Sequence, residues 1–327
     1  MRHTSIPAPP RLLRDALARP LPTPGPAVLA GLGLAAAGGA ALAAGAAEAR
    51  RYTLRRHRLA GLPAGADPIR VLHLSDIHLT PGQERKRDWL TRLSALPVDL
   101  VVNTGDNLSH QRAVGPLVEA LGPLLDAPGV FVLGSNDYFE PRVRNPFQYL
   151  LPDTGKRRTD VPELPWRHMA ATFTGRGWLD LTNTTGRLSV KGVDLAFAGV
   201  DDPHLAYDDL AAVDDAAPVD AGVRLAVAHA PYLRVLDHFA QRGWDAILAG
   251  HTHGGQVCLP NGRALTTNCD LDNARARGLH RHPADSRPGD PASSWLHVCA
   301  GLGTSPFARV RVACRPEAVL LTLEPVA

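Results

Sequence analysis

Short apolar runs alternate with amphipathic segments along this chain from residue 69 onward. Runs of four to six mainly apolar residues are typical of buried strands, and the segments between them have helical spacing. In residues 84–96, for example, Trp89, Leu93 and Leu96 fall on one face of a helix. This alternation predicts βαβ units and an α/β fold. Strands are predicted at 69–74, 99–103, 129–133, 225–228 and 246–249, and helices at 84–96, 114–125 and 232–241.

Other parts of the chain depart from this alternation. Residues 188–200 have the pattern of a hairpin that turns near Gly192, and residues 52–59 have that of an edge strand. Residues 140–185 contain five prolines and predict an insertion or a lid over a site. Their basic run, residues 156–158, fits either a solvated face or a contact with an anionic substrate. Further strands are predicted at 295–300, 309–313 and 319–323.

The N-terminal part carries a long uncharged segment. Residues 27–47 comprise 21 residues, mainly Ala, Gly, Leu and Val, which is about enough to cross the core of a bilayer. A single-pass membrane anchor is the favoured prediction, and a cleaved signal peptide or a loosely helical tail are the alternatives. Residues 1–26, rich in Pro and Arg, are predicted to be disordered. Residues 48–68 are predicted to form a linker and the edge strand.

Charge is distributed unevenly along the chain. The formal net charge is +3, but residues 1–60 carry nine arginines against Asp15 and Glu48, which leaves the remainder at about −4. The arginines that follow the apolar segment slightly favour a folded domain on the cytoplasmic face. A nucleic-acid-binding protein would more often carry positive charge on its folded domain, so no nucleic-acid partner is expected.

The four cysteines indicate no particular chemistry. They form no Cys-x-x-Cys pair, so a zinc knuckle is not supported. Buried free thiols are the favoured interpretation, although four cysteines are enough for two disulfides. They are Cys258, Cys269, Cys299 and Cys314.

Side chains suited to metal binding follow five of the predicted strands. Open α/β sheets bind ligands beyond the carboxyl ends of their strands. In extended backbone, residues two apart point to the same side, so Asp-x-His and His-x-His pairs can each reach one cluster. Carboxylate, amide and imidazole groups that recur in this way suit two adjacent cations, and a two-metal site indicates hydrolysis of a phosphate ester or anhydride. The side chains are Asp76, His78, Asp106, Asn107, Ser135, Asn136, His229, His251 and His253.

The order of these motifs resembles the calcineurin-like metallophosphoesterase superfamily. The order is Asp-x-His, Gly-Asp-x, Gly-x-Asn-x, a lone His and Gly-His-x-His, and it covers residues 70–256. Residues 301–305 also resemble the membrane-associated bacterial branch of that superfamily. The resemblance implies a four-layer α/β/β/α sandwich over residues 69–327, preceded by the apolar helix.

The same resemblance implies two divalent metal ions and a role for each ligand. A water bridging the two ions would supply the hydroxide that attacks phosphorus. Mn, Fe or Zn suit the mixed nitrogen and oxygen ligands, and Mn or Fe suit the carboxylate and amide share better. By resemblance, the first ion is bound by Asp76, His78 and His253, the second by Asn136, His229 and His251, and both by Asp106.

The third motif departs from the family pattern. The family usually has Gly-Asn-His, whereas this chain has Gly134, Ser135 and Asn136. Either Ser135 binds metal, or the loop shifts by one residue so that Asn136 does; we favour Asn136, because an amide oxygen is the better neutral ligand. Ser135 and Asn107 are then candidates for binding the substrate.

The family histidine that this motif lacks normally protonates the leaving group or stabilises the transition state, an effect of about 10²–10⁴-fold. Either His204 or His110 could replace it, although each could equally be an ordinary loop histidine. His204 is the stronger candidate because it lies soon after a predicted strand.

Three functions are therefore open. The favoured one is a membrane-anchored, metal-dependent phosphohydrolase that acts on a phosphate-containing small molecule or lipid-linked substrate, by cleavage of a phosphoester or pyrophosphate bond. The second is a nucleotide phosphodiesterase or nuclease, which would need a basic or aromatic surface that this acidic domain, with 5% aromatic residues in the chain, does not favour. The third is a weakly active metal-binding membrane protein, which full retention of the Asp and His ligands argues against.

Overall fold

The computed structural model describes residues 25–142 and 160–326. The chain divides into two units, Met1–Ala43 and Ala44–Ala327. The first unit contains most of helix α1 (Pro26–Glu48), which is long and apolar enough to cross a bilayer by length and composition. A signal sequence fits the same criterion, so the predicted anchor and its main alternative both stay open. All but the last two residues of the predicted disordered tail, residues 1–26, lie outside the described residues.

The second unit alternates strands and helices, as the apolar pattern predicts. The strands are β1 (Thr53–Leu62), β2 (Ile69–Leu74), β3 (Leu100–Asn103), β4 (Gly129–Phe131), β5 (Leu179–Asp180), β6 (Thr184–Val190), β7 (Val193–Gly199), β8 (Val223–Val227), β9 (Ala246–Ala249), β10 (Gly278–His282), β11 (Ser294–Val298) and β12 (Glu317–Pro325). The helices are α2 (Glu84–Leu93), α3 (Val114–Leu121), α4 (Ser135–Tyr138), α5 (Trp166–Gly175) and α6 (Leu233–Gln241).

These strands form two six-stranded mixed sheets. The first has the order β1-β12-β2-β3-β4-β5, and the second has the order β10-β11-β9-β8-β7-β6. Strands β2 to β5 run parallel to one another, and so do β7, β8, β9 and β11. The register pairs Leu74 with Asn103 in the first sheet and Val227 with Leu248 in the second. Neighbouring parallel strands therefore end together, which brings their following loops side by side.

The core has three apolar layers. Buried residues from both sheets, among them Val71, Val102, Phe197 and Leu225, fill the layer between the sheets. Helices α2, α3 and α5 cover the outer face of the first sheet, and α6 covers that of the second. This is the predicted α/β/β/α order, so the predicted fold class is confirmed. Burial of both faces of each sheet explains why the strands have nearly continuous apolar runs.

Several predicted elements have different bounds or are wrong. Helix α3 ends at Leu121 rather than at residue 125, because Gly122 has φ of +46° and Pro123 cannot continue the hydrogen-bond pattern. Residues 309–313 form no strand; Val312 makes only a single bridge with Val257. Strand β10 was not predicted, because its polar sequence lacks an apolar run.

The proposed insertion contains part of the core. Within residues 140–185, helix α5 buries Met169 and Phe173 against the first sheet, and β5 extends that sheet. Residues 160–185 therefore belong to the sandwich rather than to a lid. The basic run at 156–158 lies outside the described residues.

Truncation in the layer between the sheets should destabilise the domain. Phe197 is fully buried there, so Phe197→Ala should lower the free energy of unfolding by about 3–5 kcal/mol through lost burial and a residual cavity. Urea unfolding followed by circular dichroism measures this. Val219→Ala is the matched control, because Val219 is 92% exposed and should change stability by less than about 0.5 kcal/mol. An equal effect of the two substitutions would contradict this packing.

Candidate metal centre

The loops after β2, β3, β8 and β9 meet at one edge of the sandwich. The backbone N–H of His251, after β9, donates to Asp76 Oδ2 after β2 at 3.0 Å. The Nε2 atom of His229, after β8, lies 3.5 Å from Asp106 Oδ2 after β3. Each contact joins one sheet to the other, so the site lies where the two sheets come together at their strand ends.

The first group of candidate ligands is Asp76, His78 and His253. Their ligand atoms lie within 4.8 Å of one another, and all three side chains are buried. Asp76 Oδ1 is 3.9 Å from His78 Nε2 and 3.6 Å from His253 Nε2. The two Nε2 atoms are 3.2 Å apart. This spacing suits ring nitrogens that share one cation of about 2 Å bond length.

The second group contains Asp76, Asp106 and His229, again within 4.8 Å. Asp106 Oδ2 lies 3.3 Å from His78 Nε2 and 3.5 Å from His229 Nε2, so this oxygen stands between the two groups. That position suits the bridging role expected of Asp106. The structure also places Asp76 in both groups, which the sequence does not predict.

Backbone carbonyls orient the histidine rings. His229 Nδ1 donates to Thr104 O at 2.7 Å, and His253 Nδ1 lies 3.2 Å from Gly303 O. His251 uses its other nitrogen, Nε2, which lies 3.2 Å from Asn268 O. A ring nitrogen that donates to a carbonyl leaves the opposite nitrogen as a lone-pair ligand, as in known metal sites.

Within the described part of the chain, two buried polar atoms of the cluster have no hydrogen-bond partner. Asp76 Oδ1 and His229 Nε2 make no hydrogen bond with any described residue. Buried polar atoms are almost always paired, so atoms left bare at the centre of a ligand cluster fit a bound cation. The donor set of carboxylates and imidazoles therefore fits divalent metal ions.

Burial and neighbouring carboxylates shift the pKa values of the side chains in this cluster. Burial raises the pKa of Asp76 to about 6. Burial alone would lower the pKa of His229, but the adjacent Asp106 carboxylate raises it well above its usual value. Burial also lowers the pKa of His78 to about 4, so this ring is neutral near pH 7 and available as a ligand.

The backbone of the cluster is locally strained. Five of the seven predicted ligands have φ between 45° and 66°, a region that non-glycine residues seldom occupy. The Asp-x-His and His-x-His pairs therefore reach the cluster through left-handed turns, not through the extended backbone that we expected. The five residues are Asp76, His78, Asp106, His251 and His253.

The third motif places Asn136 against the bridging carboxylate. The Asn136 backbone N–H donates to Asp106 Oδ1 and its side-chain Nδ2 donates to Asp106 Oδ2, both at 2.7 Å. Ser135 Oγ accepts a longer bond of 3.3 Å from the same Nδ2. Rotation of the Asn136 amide by half a turn would point its oxygen at the Asp106 carboxylate. Two oxygens that face each other in this way repel unless a cation lies between them. Gly134 permits this packing, since a Cβ there would lie 2.7 Å from His229 Cε1.

Asp137 holds the Asp106 loop through its backbone. Its carboxylate accepts the N–H groups of Asp106, Asn107 and Gly134 at 2.7–3.0 Å. Asn107 is fully buried, and its side chain bonds Asn103 and Asp137. This arrangement gives Asn107 a part in shaping the loop and leaves it no surface for the substrate contact that we expected.

The two candidate replacement histidines lie in different surroundings. The His204 ring is 4.5 Å from the His251 ring, measured between centroids, and its Nδ1 is 3.2 Å from the Tyr232 hydroxyl. His110 Nδ1 accepts the backbone N–H of Arg112 at 3.0 Å. His204 therefore borders a predicted metal ligand, whereas the contact recorded for His110 is with the backbone of its own loop.

The sequence did not predict the buried charged residues Lys86, Arg311 and Asp202. Lys86 Nζ donates to Ile77 O at 2.6 Å, and Arg311 donates to the carbonyl oxygens of Ala300 and Gly303, each at 2.7 Å. Asp202 is fully buried with Oδ2 unpaired among the described residues. Asp202 lies soon after β7, as the candidate ligands lie after their strands, and this position is the signal that could have revealed it.

Comparison with known proteins identifies several relatives. Residues 69–255 match the family model described as "Calcineurin-like phosphoesterase". The uncharacterized metallophosphoesterase YkoQ of Bacillus subtilis is 26% identical over 262 residues, which are 79% of this chain and 84% of YkoQ. The UDP-2,3-diacylglucosamine pyrophosphatase LpxG of Chlamydia trachomatis is 26% identical over 292 residues, 77% of this chain and 83% of LpxG.

A mammalian protein shares a smaller part of its length. The Bos taurus "Transmembrane protein with metallophosphoesterase domain" is 29% identical over 216 residues, which are 63% of this chain and 45% of that protein.

The third motif can be tested by metal binding. Asn136→Ala removes the amide beside Asp106 and should weaken the binding of one of the two ions by about 10–100-fold. Ser135→Ala should change the affinity for either ion little. Isothermal titration with Mn²⁺, after removal of metal with a chelator, measures both affinities. The reverse ranking of the two variants would assign the ligand to Ser135.

Proposed function

Because the chain belongs to the calcineurin-like phosphoesterase family, we propose that it is a phosphohydrolase that uses two divalent metal ions to cleave a phosphoester or pyrophosphate bond. Hydrolysis of phosphoesters is the activity of the family. The observation that carries the proposal for this chain is the pair of overlapping candidate ligand groups around Asp106. In these groups Asp76 Oδ1 and His229 Nε2 are buried without a partner among the described residues.

Each side chain has a proposed role. Asp76, His78 and His253 hold one ion; Asn136, His229 and His251 hold the other, and Asp106 bridges them. Divalent cations so held would lower the pKa of a bound water and neutralise charge on the phosphoryl oxygens. Mn or Fe fits this ligand set better than Zn, because of its carboxylate and amide share.

The protein's own groups set the geometry. Asp137 fixes the Asp106 loop, and the carbonyl oxygens of Thr104 and Gly303 orient two of the histidine rings. Ser135 lies beside Asn136 and is the proposed contact for a phosphoryl oxygen. His204, beside His251, is the proposed acid that gives a proton to the leaving oxygen.

A lipid-linked phosphate or pyrophosphate is the proposed substrate class. Two observations support it: the relative LpxG is named a pyrophosphatase of UDP-2,3-diacylglucosamine, and α1 is apolar enough to anchor the chain. We further propose that residues 27–47 cross the membrane once. The arginines that follow them slightly favour a catalytic domain on the cytoplasmic face.

Loss of the proposed bridging carboxylate should strongly reduce hydrolysis. With Mn²⁺ added, the full chain in detergent should hydrolyse bis-p-nitrophenyl phosphate, and Asp106→Asn should reduce kcat by roughly 10²-fold or more. Release of p-nitrophenolate measures the rate. Circular dichroism of both proteins controls for folding. Equal activity in the variant would refute the proposed centre, and the ratio of diester to monoester rates would narrow the substrate class.

The proposed acid can be tested through the leaving group. His204→Gln should reduce kcat by about 10²-fold for a diester with an alkyl leaving group, and much less for bis-p-nitrophenyl phosphate, because p-nitrophenolate leaves without a proton. His110→Gln is the matched control and should leave both rates unchanged. An equal loss on the two substrates would mean that His204 only supports the site.

A further inference from the structure

An exposed apolar patch lies beside the metal centre. Outside α1, the described residues expose eight large apolar side chains, and four of these come from two segments, residues 256–266 and 304–316. We call these two segments the rim surface. The four are Leu259, Leu265, Phe307 and Val312, and they are 39–49% exposed.

Hydrogen bonds join the two segments into one surface. The Val312 N–H donates to Gln256 O, and the Cys258 N–H donates to Val312 O, both at 2.9 Å. Gln256 Nε2 donates to Ala308 O at 2.9 Å. Leu265 belongs to the same surface, because its backbone N–H donates to Val257 O at 3.3 Å. The apolar side chains are therefore displayed by a connected backbone, not by separate loops.

The charge of the rim surface is of one sign. Residues 256–266 and 304–316 contain no Asp or Glu, although the chain beyond residue 60 is net acidic. Arg263, Arg309 and Arg315 are exposed on it, whereas Arg311 is buried. Apolar side chains among exposed arginines match the interface of a bilayer with anionic headgroups.

The rim surface also adjoins the end of the uncharged segment of the chain. The Arg311 N–H donates to Gly45 O at 3.1 Å, and the Cys314 N–H donates to Glu48 Oε1 at 2.7 Å. Gly45 is buried there, and a side chain at this position would lie 3.2 Å from Arg311 O. Gly45 and Glu48, at the end of α1, are thus hydrogen-bonded to the rim surface.

The rim surface also adjoins the candidate metal centre. Gln256 follows His253 by three residues, and Gly303, which precedes the second segment, lies against His253 Nδ1 at 3.2 Å. A ligand that lies along the rim surface would therefore be close to the first group of metal ligands.

We propose that the rim surface docks on the headgroup region of an anionic phospholipid bilayer, with Leu259, Leu265, Phe307 and Val312 inserted and the arginines on the lipid phosphates. The inference rests on the proposal that residues 27–47 enter the same bilayer. It adds that the metal centre opens beside the membrane surface, where the phosphate of a membrane-embedded substrate lies.

Hydrogen–deuterium exchange of the full chain tests this docking. The chain is compared in detergent, in phosphatidylcholine nanodiscs, and in nanodiscs that also contain phosphatidylglycerol. Residues 256–266 and 304–312 should exchange more slowly in the anionic nanodiscs than in the other two. Residues 214–222, which include the exposed Val219, should exchange equally in all three and serve as the internal control.

Variants separate the two components of docking. Arg263→Gln with Arg309→Gln should reduce the protection by about fivefold for each arginine removed, and high salt should have a similar effect. Leu259→Ser with Phe307→Ser should reduce it further. Val219→Ser is the matched control for loss of an exposed apolar side chain and should retain full protection.

Three results would overturn the proposal. Equal exchange in all three conditions would mean that the rim surface does not touch lipid. Equal protection in phosphatidylcholine and phosphatidylglycerol-containing nanodiscs would mean that anionic headgroups are not what the rim surface binds. A chain that does not co-elute with nanodiscs would remove the anchor as well, whereas hydrolysis that depends on Asp106 is measured separately and would still stand.

Discussion

Carboxylates buried where two sheets meet require positive charge close by, because an uncompensated buried charge strongly destabilises a fold. Asp106 is 2% exposed, and Asp76, Asp137 and Asp202 are fully buried. Repulsion from Asp106 adds to burial in raising the pKa of each of these three neighbours. The histidine rings offset only part of this charge. The centre is therefore built for cations, and the rest of the domain serves to hold these acids together.

The buried charged side chains around the candidate ligands bind mainly backbone groups. Left-handed conformations of the ligand residues cost of order 1–3 kcal/mol each, and they persist only where the surroundings enforce them. Lys86 binds the carbonyl of Ile77 between two ligands, Arg311 binds the carbonyls of the 300–303 loop, and Asp137 binds the N–H groups after β3. These contacts hold the candidate ligands in place, which would reduce the reorganisation that metal binding requires.

The proposed membrane role involves residues from both ends of the folded domain, near positions 45–48 and 311–314. The last turn of α1 hydrogen-bonds to residues 311–314, since Gly45 O accepts the Arg311 N–H and Glu48 Oε1 accepts the Cys314 N–H. Cys314 Sγ in turn lies 3.3 Å from His253 O. Residues 311–314 thus connect Gly45 and Glu48 to the carbonyl of His253 within the second unit. An enzyme arranged in this way would meet lipid-linked phosphates without extracting them from the bilayer.

The sequence by itself predicted an α/β fold and the set of candidate ligands, because apolar periodicity and residues at strand ends are local properties. The four-layer sandwich and the family were implied by the resemblance of its motifs. The sequence also favoured Asn136 over Ser135 as the metal ligand of the third motif, a choice that measurement of metal affinity tests. It did not reveal Lys86, Asp202 or Arg311, nor the left-handed backbone of Asp76 and His251. Only the tertiary structure decided these, because a lone charged residue becomes a structural partner only when distant segments close around it and exclude water.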